Sequence, residues 1–140
     1  AYGCAVDEFQ HIMYQNPDLT PDQRNQTWLE LEHKYRPWID FDNLPFYGRG
    51  AGWQRQLHIY ECPFYYIDYC LSTMAALQFF LLSLHDQKDA WERYLRLVRR
   101  AGTASYTELC ETAGLQVPFR DGSIKAIAQQ MSQWIAEHQV

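Results

Sequence analysis

Between Trp53 and Tyr69 the chain reads WQRQLHIYECPFYYIDY, and these side chains supply more than volume. A helix that only has to fill a core uses Leu and Phe. Tyr60, Tyr65, Tyr66 and Tyr69 each bring a hydroxyl that needs a partner when buried. His58 adds an imidazole that donates or accepts according to its tautomer. Together they make a surface suited to gripping something polar. The alternative is an amphipathic core helix with tyrosines along its wet edge. Arg55, between Gln54 and Gln56, has the planar fork that clamps a peptide carboxylate. It can equally pair with Asp68 or Glu61 inside the domain, and that structural pairing is the preferred reading.

Other chemistries find little support. No two of His11, His33, His58, His85 and His138 are four residues apart, so the paired ligands of an H-E-x-x-H helix are absent. Ser72, Thr73 and Ser105 lack a nucleophile motif. Gly48, Gly50 and Gly52 have no following Lys-Ser/Thr and no preceding strand, which argues against a phosphate loop. A net charge of −5 gives no reason to expect nucleic acid. Arg93, Arg96, Arg99 and Arg100 read as a solvated helix face. Cys4, Cys62, Cys70 and Cys110 form no C-x-x-C pair and read as reduced thiols in a cytoplasmic protein, with Cys62 and Cys70 as small buried hydrophobes. The most apolar run, Met74 to Leu84, is too short to span a membrane.

The elements that would position this chemistry are helices. Val6, Phe9, Ile12 and Met13 share one face of a helix from about Ala5 to Tyr14. Thr20, Pro21 and Gln23 form a capping box for the next, which carries Trp28, Leu31 and Tyr35 inward and stops at Arg36-Pro37. A loop from Trp38 to Gly52 is broken by Asp42-Asn43, Pro45 and glycines. Its aromatics Trp38, Phe41, Phe46 and Tyr47 imply that it is held down. A short helix from Trp53 to Ile59 is followed by a long one from Pro63 to His85. Asp89 to Arg99 is helical with Trp91, Leu95 and Val98 inward, closed by Gly102. Ser105 and Glu108 cap a helix ending at Gly114. Asp121 caps the last, with Ile124, Ile127, Met131, Trp134 and Ile135 inward. The expectation is an all-α fold of about six helices in a single domain over residues 1–140.

The Trp53–Tyr69 stretch resembles the C-terminal part of oligoendopeptidase F and related zinc oligopeptidases, through W-Q-R-Q-x-H-x-Y and P-F-Y-Y-I-D-Y. Val6-Asp7-Glu8-Phe9-Gln10-His11, Asn16-Pro17, Thr20-Pro21 and Leu29-Glu30-Leu31-Glu32-His33-Lys34-Tyr35 extend the resemblance. So do Ala76-Leu77-Gln78-Phe79, Ala113-Gly114-Leu115 and Pro118-Phe119. It implies a C-terminal piece of a zinc metallopeptidase of short peptides, whose metal-bearing helix would lie upstream of Ala1. Zinc then belongs to the intact parent and none to this segment. By the same resemblance, Tyr69 and His58 stabilise the charge that develops on the substrate oxygen, with Tyr66 next in preference. Tyr65, Tyr60 and Arg55 are further candidates for substrate contact. Tyr66 and Tyr69 are i, i+3 and Tyr65 and Tyr69 are i, i+4, so the register of the catalytic tyrosine stays open. Glu61-Cys62-Pro63 replaces the glycine-rich loop of thimet oligopeptidase, so no loop tyrosine carries over.

Partners implied are short peptides and the N-terminal remainder of the parent, with neither nucleic acid nor membrane. The segment alone is expected to be inactive and to dimerise through an uncovered face. The competing readings are a helical module that binds a peptide or partner helix without chemistry, and a purely structural helical cap.

Overall fold

The computed structural model describes residues 1–41 and 43–138, so Asp42 of the expected loop signal lies outside the described residues. Among the described residues there are seven α-helices, a 3-10 turn and no strand. They cluster into two compact units, Ala1–Cys70 and Leu71–Val140.

The first unit is built on α1 (Tyr2–Gln15) and α2 (Pro21–Tyr35). The capping box expected at Thr20 forms: Gln23 N–H donates to Thr20 Oγ1 and Thr20 N–H to Gln23 Oε1, at 3.3 and 2.9 Å. Ala5, Val6, Phe9, Trp28 and Leu31 form the core, with Tyr2, Trp53, Ile59 and Tyr66 packed against it. Phe9 meets Trp28 edge-on at 5.3 Å between ring centres, the geometry that aromatic quadrupoles favour. Trp53 stays in this apolar setting because its indole N–H donates to Asn25 Oδ1 at 3.0 Å.

The loop after α2 differs in part from expectation. Phe41 is buried, but Trp38 sits in the turn closed by Ile39 N–H on Arg36 C=O and remains 71% exposed. Gly50 has φ +72°, and a Cβ there would come within 1.9 Å of the Asn25 carbonyl, so only glycine fits.

The Trp53–His85 region departs most from the sequence reading. The single short helix is a 3-10 turn, Ala51–Arg55, followed by α3 (His58–Glu61). The long helix α4 (Ile67–His85) starts four residues later than Pro63. Phe64 is the cause: its φ is +64°, which no helix accommodates. Gln10, buried in α1, holds it there by accepting the Phe64 N–H at 2.8 Å. Cys62, expected to be buried, is exposed in this same turn.

Taken as 19 residues with mean hydropathy 1.5, α4 is long and apolar enough to cross a membrane on length and composition, where the run Met74–Leu84 alone was not. Only Gln78 along it is buried.

The second unit adds α5 (Gln87–Arg100), α6 (Tyr106–Ala113) and α7 (Ser123–His138) to the later part of α4. Its core is Cys110, Ala113, Leu115 and Val117, with Phe79, Leu82, Leu97 and Tyr106 against it. The Ser105–Glu108 capping box and the left-handed Gly114 stop both form as expected. Two caps differ. Asp86 caps α5, its carboxylate accepting from the N–H groups of Lys88 and Asp89 at 2.9 and 3.0 Å, and the helix begins two residues earlier than the expected Asp89. Gly122, not Asp121, occupies the cap position of α7, since its carbonyl accepts the first helical bond from Ala126.

The inward faces differ as well. On α5 the buried residue is Ala90, while Trp91 and Val98 are 58% and 44% exposed. The arginines form a largely solvated face as expected, with Arg96, Arg99 and Arg100 exposed; from it Arg93, Arg96 and Arg100 reach Gly114 O, Thr112 O and Thr112 Oγ1 at the end of α6. There their charge complements the negative end of that helix. On α7 Ile127 is buried, but Ile124 and Ile135 are exposed.

Candidate functional site

His58 opens α3, and Tyr69 sits in the first turn of α4. Their side chains meet: His58 Nε2 lies 3.3 Å from the Tyr69 hydroxyl oxygen. That is slightly longer than the ordinary range of about 2.7–3.2 Å. Tyr65 and Tyr66 complete the cluster. Tyr65 lies parallel to the imidazole at 6.3 Å and edge-on to Tyr69 at 5.6 Å. Tyr66 is edge-on to both, at 5.0 Å from each. Tyr65 and Tyr66 lie just before α4, four and three residues ahead of Tyr69, and both flank its ring.

Tyr69 is 46% exposed and Tyr65 48%, so the cluster faces outward, while Tyr66 is anchored on the core below. Loss of hydration pushes the Tyr69 phenol above its ordinary value, and the neighbouring Tyr65 and Tyr66 push it further. It therefore remains a proton donor at neutral pH.

The other candidates separate from this cluster. Tyr60 stacks on Trp53 at 6.0 Å and lines a cleft of about 340 Å³ with Phe9, Met13, Tyr14 and Arg24. Partial burial raises its phenol too. Arg55 pairs with neither Asp68 nor Glu61. Its guanidinium donates to the Tyr47 hydroxyl and lies over that ring, because the 3-10 turn aims it at the preceding loop.

Two residues that sequence reasoning missed complete the arrangement. Gln56 Nε2 lies 2.7 Å from His58 Nδ1, and the Tyr2 hydroxyl donates to Gln56 Oε1 at 3.0 Å. Burial, followed by the nearby Tyr66, pushes the Tyr2 phenol up to about 12, so it too stays protonated. Gln56 two residues before His58 was a visible signal. Tyr2, 54 residues from Gln56, gave none.

Among the described residues, no three His, Cys, Asp or Glu side chains gather into a possible metal site. The residues present thus do not fit a zinc centre. What the cluster offers is hydrogen-bond donation from an exposed, preorganised His–Tyr pair.

Three solved structures are similar to the chain. A PZ peptidase A in complex with an inhibitor shares 45% identity at a TM-score of 0.91, covering 97% of this chain and 24% of its own. A protein assigned as an oligoendopeptidase F shares 44% identity at the same TM-score, covering 96% and 24%. A second, from Bacillus anthracis str. Ames, shares 34% identity at a TM-score of 0.74, covering 99% and 21%. The chain thus spans about a quarter of the length of the proteins it matches. No family model matches it, and no curated protein matches it significantly.

Proposed function

From the premise that the chain is homologous, over nearly its whole length, to a segment of the oligoendopeptidase F peptidases, we propose that it forms one wall of the substrate cleft in a larger zinc peptidase acting on short peptides. In this reading the segment is C-terminal, and its His58 and Tyr69 stabilise the transition state. Zinc would take its ligands from elsewhere in the parent chain, since the described residues offer no set for it. The segment alone is inactive. The observation that carries the reading is the convergence of His58 Nε2 and the Tyr69 hydroxyl at an exposed edge walled by Tyr65 and Tyr66.

The chemistry follows from charge. When a nucleophile attacks a peptide carbonyl, the oxygen gains negative charge that it did not have in the substrate. A donor already in place lowers the barrier because the interaction strengthens only as that charge develops. Tyr69 keeps its proton at neutral pH and presents it at the surface. His58 steadies the Tyr69 oxygen through its ring nitrogen. Tyr65 and Tyr66 limit where the Tyr69 ring can turn, so little reorganisation accompanies the reaction.

Replacing Tyr69 by Phe in the full-length protein tests this directly. The ring and its packing stay; one hydroxyl goes. A loss of about 2–4 kcal/mol of transition-state stabilisation is expected, on the order of a hundredfold in kcat with little change in KM. Tyr65→Phe is the control for register. Unchanged kcat in Tyr69→Phe, Tyr66→Phe, Tyr65→Phe and His58→Ala together would remove the catalytic reading and leave the cluster as structure.

A further inference from the structure

The His58–Tyr69 pair is tied to the first turn of α1 through Gln56. From Tyr2 to Gln56, His58 and Tyr69 the successive contacts are 3.0, 2.7 and 3.3 Å. A side-chain amide has one accepting end and one donating end. With the Tyr2 proton on the oxygen end, the N–H end faces His58 Nδ1. Both anchors are fixed. Gln56 N–H donates to Trp53 C=O at 3.0 Å, and Gln56 C=O accepts from Ile59 N–H at 3.1 Å. The Tyr2 ring is edge-on to Trp28 and Tyr66 and lies under the Arg36 guanidinium at 4.8 Å.

We infer that Gln56 is a positioning residue that holds His58 as the neutral tautomer with its proton on Nε2, so that His58 is the donor and the Tyr69 oxygen the acceptor at their contact. The inference rests on the catalytic reading of His58 and Tyr69 given above. A neutral imidazole has a single N–H; if Nδ1 accepts from Gln56, the proton is on Nε2. The Tyr69 proton is then directed away from His58, toward Tyr65 and the open side of the cluster. With the opposite tautomer, Tyr69 would donate to His58 and present only lone pairs to a substrate oxygen. One amide orientation, with the Gln56 oxygen toward Tyr2, thereby decides whether the pair stabilises or repels an oxyanion.

The test is to read the tautomer itself by NMR, in the full-length protein with isotope-labelled histidine, assigning His58 from the signals lost in His58→Gln. In the wild type, Nδ1 should resonate as an unprotonated nitrogen and Nε2 as a protonated one. Free imidazole already leans toward this form, so the decisive variant is Gln56→Glu. It keeps the length of the side chain but turns an accepting oxygen toward His58, and Nδ1 should become protonated. Gln56→Met, which offers His58 neither donor nor acceptor, should leave the nitrogens exchange-averaged and lower kcat at least tenfold with KM within about threefold. A protonated Nδ1 in the wild type, or an unprotonated Nδ1 in Gln56→Glu, overturns the inference. So does a Gln56→Met enzyme that only melts earlier. If His58 reverses as expected but Tyr69→Phe keeps its kcat, the positioning stands and the catalytic reading fails. If Tyr69→Phe loses activity while His58 ignores Gln56→Glu, the positioning alone fails.

Discussion

The two units of this chain differ in how deeply they bury their largest side chains, although both expose some: Trp38 and Leu57 of the first are 71% and 59% exposed. In the first, Phe9 is wholly buried and Trp28 almost so. In the second, Trp91 is 58% exposed, Val98 44%, Leu84 49% and Ile124 52%. Yet α5 and α7 have the apolar periodicity of helices that pack against something. Amphipathic helices that show their apolar stripes present the kind of surface that binds a neighbour. The chain spans about a quarter of the length of its structural relatives. The second unit still has a small core of its own around Cys110 and Val117. Its helix ends are well capped, so it is ordered locally and uncovered on its outer faces.

The largest expected effect tests that contrast. Phe9→Ala should cost about 3–5 kcal/mol of stability in the 140-residue chain, through lost burial and the cavity left beside Trp28. Trp91→Ala in the same chain should stay within about 0.5 kcal/mol, because there is little burial to lose. Denaturant titration measures both. If Trp91→Ala proved as costly as Phe9→Ala, the second unit would be closed after all. We propose that the isolated chain dimerises through these bare faces. Sedimentation should then show concentration-dependent association that Trp91→Lys weakens, and a strictly monomeric, dye-silent chain would contradict it.

Two buried glutamines give the next effect, and they sharpen the comparison. Gln10 holds Phe64 N–H in the first unit, while Gln78 clasps Gln116 in the second, donating to its carbonyl at 3.0 Å and accepting its N–H at 2.7 Å. Gln10→Leu leaves one backbone group unpaired and Gln78→Leu leaves two in a less buried setting, at about 1–3 kcal/mol in each case. Gln10→Leu should sit at the upper end, since Gln10 is the more deeply buried and the left-handed Phe64 loses its tether. Thermal unfolding of the two variants would rank them, and a costlier Gln78→Leu would reverse the order of the units.

The smallest effect is on pH. Glu8 accepts from Lys34 at 2.7 Å and from the Tyr35 hydroxyl, and these bonds hold its carboxyl below the ordinary value. A carboxyl depressed on folding adds stability above its unfolded value of about 4.3 and loses it as pH falls through the lower folded value. Solvent screens this partly exposed pair, so the contribution is modest. Glu8→Gln should lower stability slightly at neutral pH and leave it almost unchanged in strong acid, so that the acid side of the profile flattens; an unchanged slope there would contradict this.

Much of this was legible beforehand. The all-α class, both capping boxes and the Gly114 stop follow from local chemistry, because a cap depends on residues three or four apart. The resemblance carried by Trp53–Tyr69 pointed to the peptidases that the solved structures then matched. The clustering of His58, Tyr65, Tyr66 and Tyr69 could be suspected from their closeness in the chain, but not its geometry. The start of α4 was misplaced because Pro63 is an acceptable first helical residue. Nothing local shows that Gln10, 54 residues away, holds Phe64 in the left-handed region.

By itself, then, the sequence determined where helices form and which side chains carry hydroxyls, imidazole and charge. These are properties of short windows, governed by periodicity and capping. Only the tertiary structure decided which face of α5 turns inward and which tyrosines surround His58. It likewise decided that Tyr2 and Gln56 reach the same imidazole. Those outcomes depend on contacts between residues far apart in the chain, and such contacts exist only once the helices have packed.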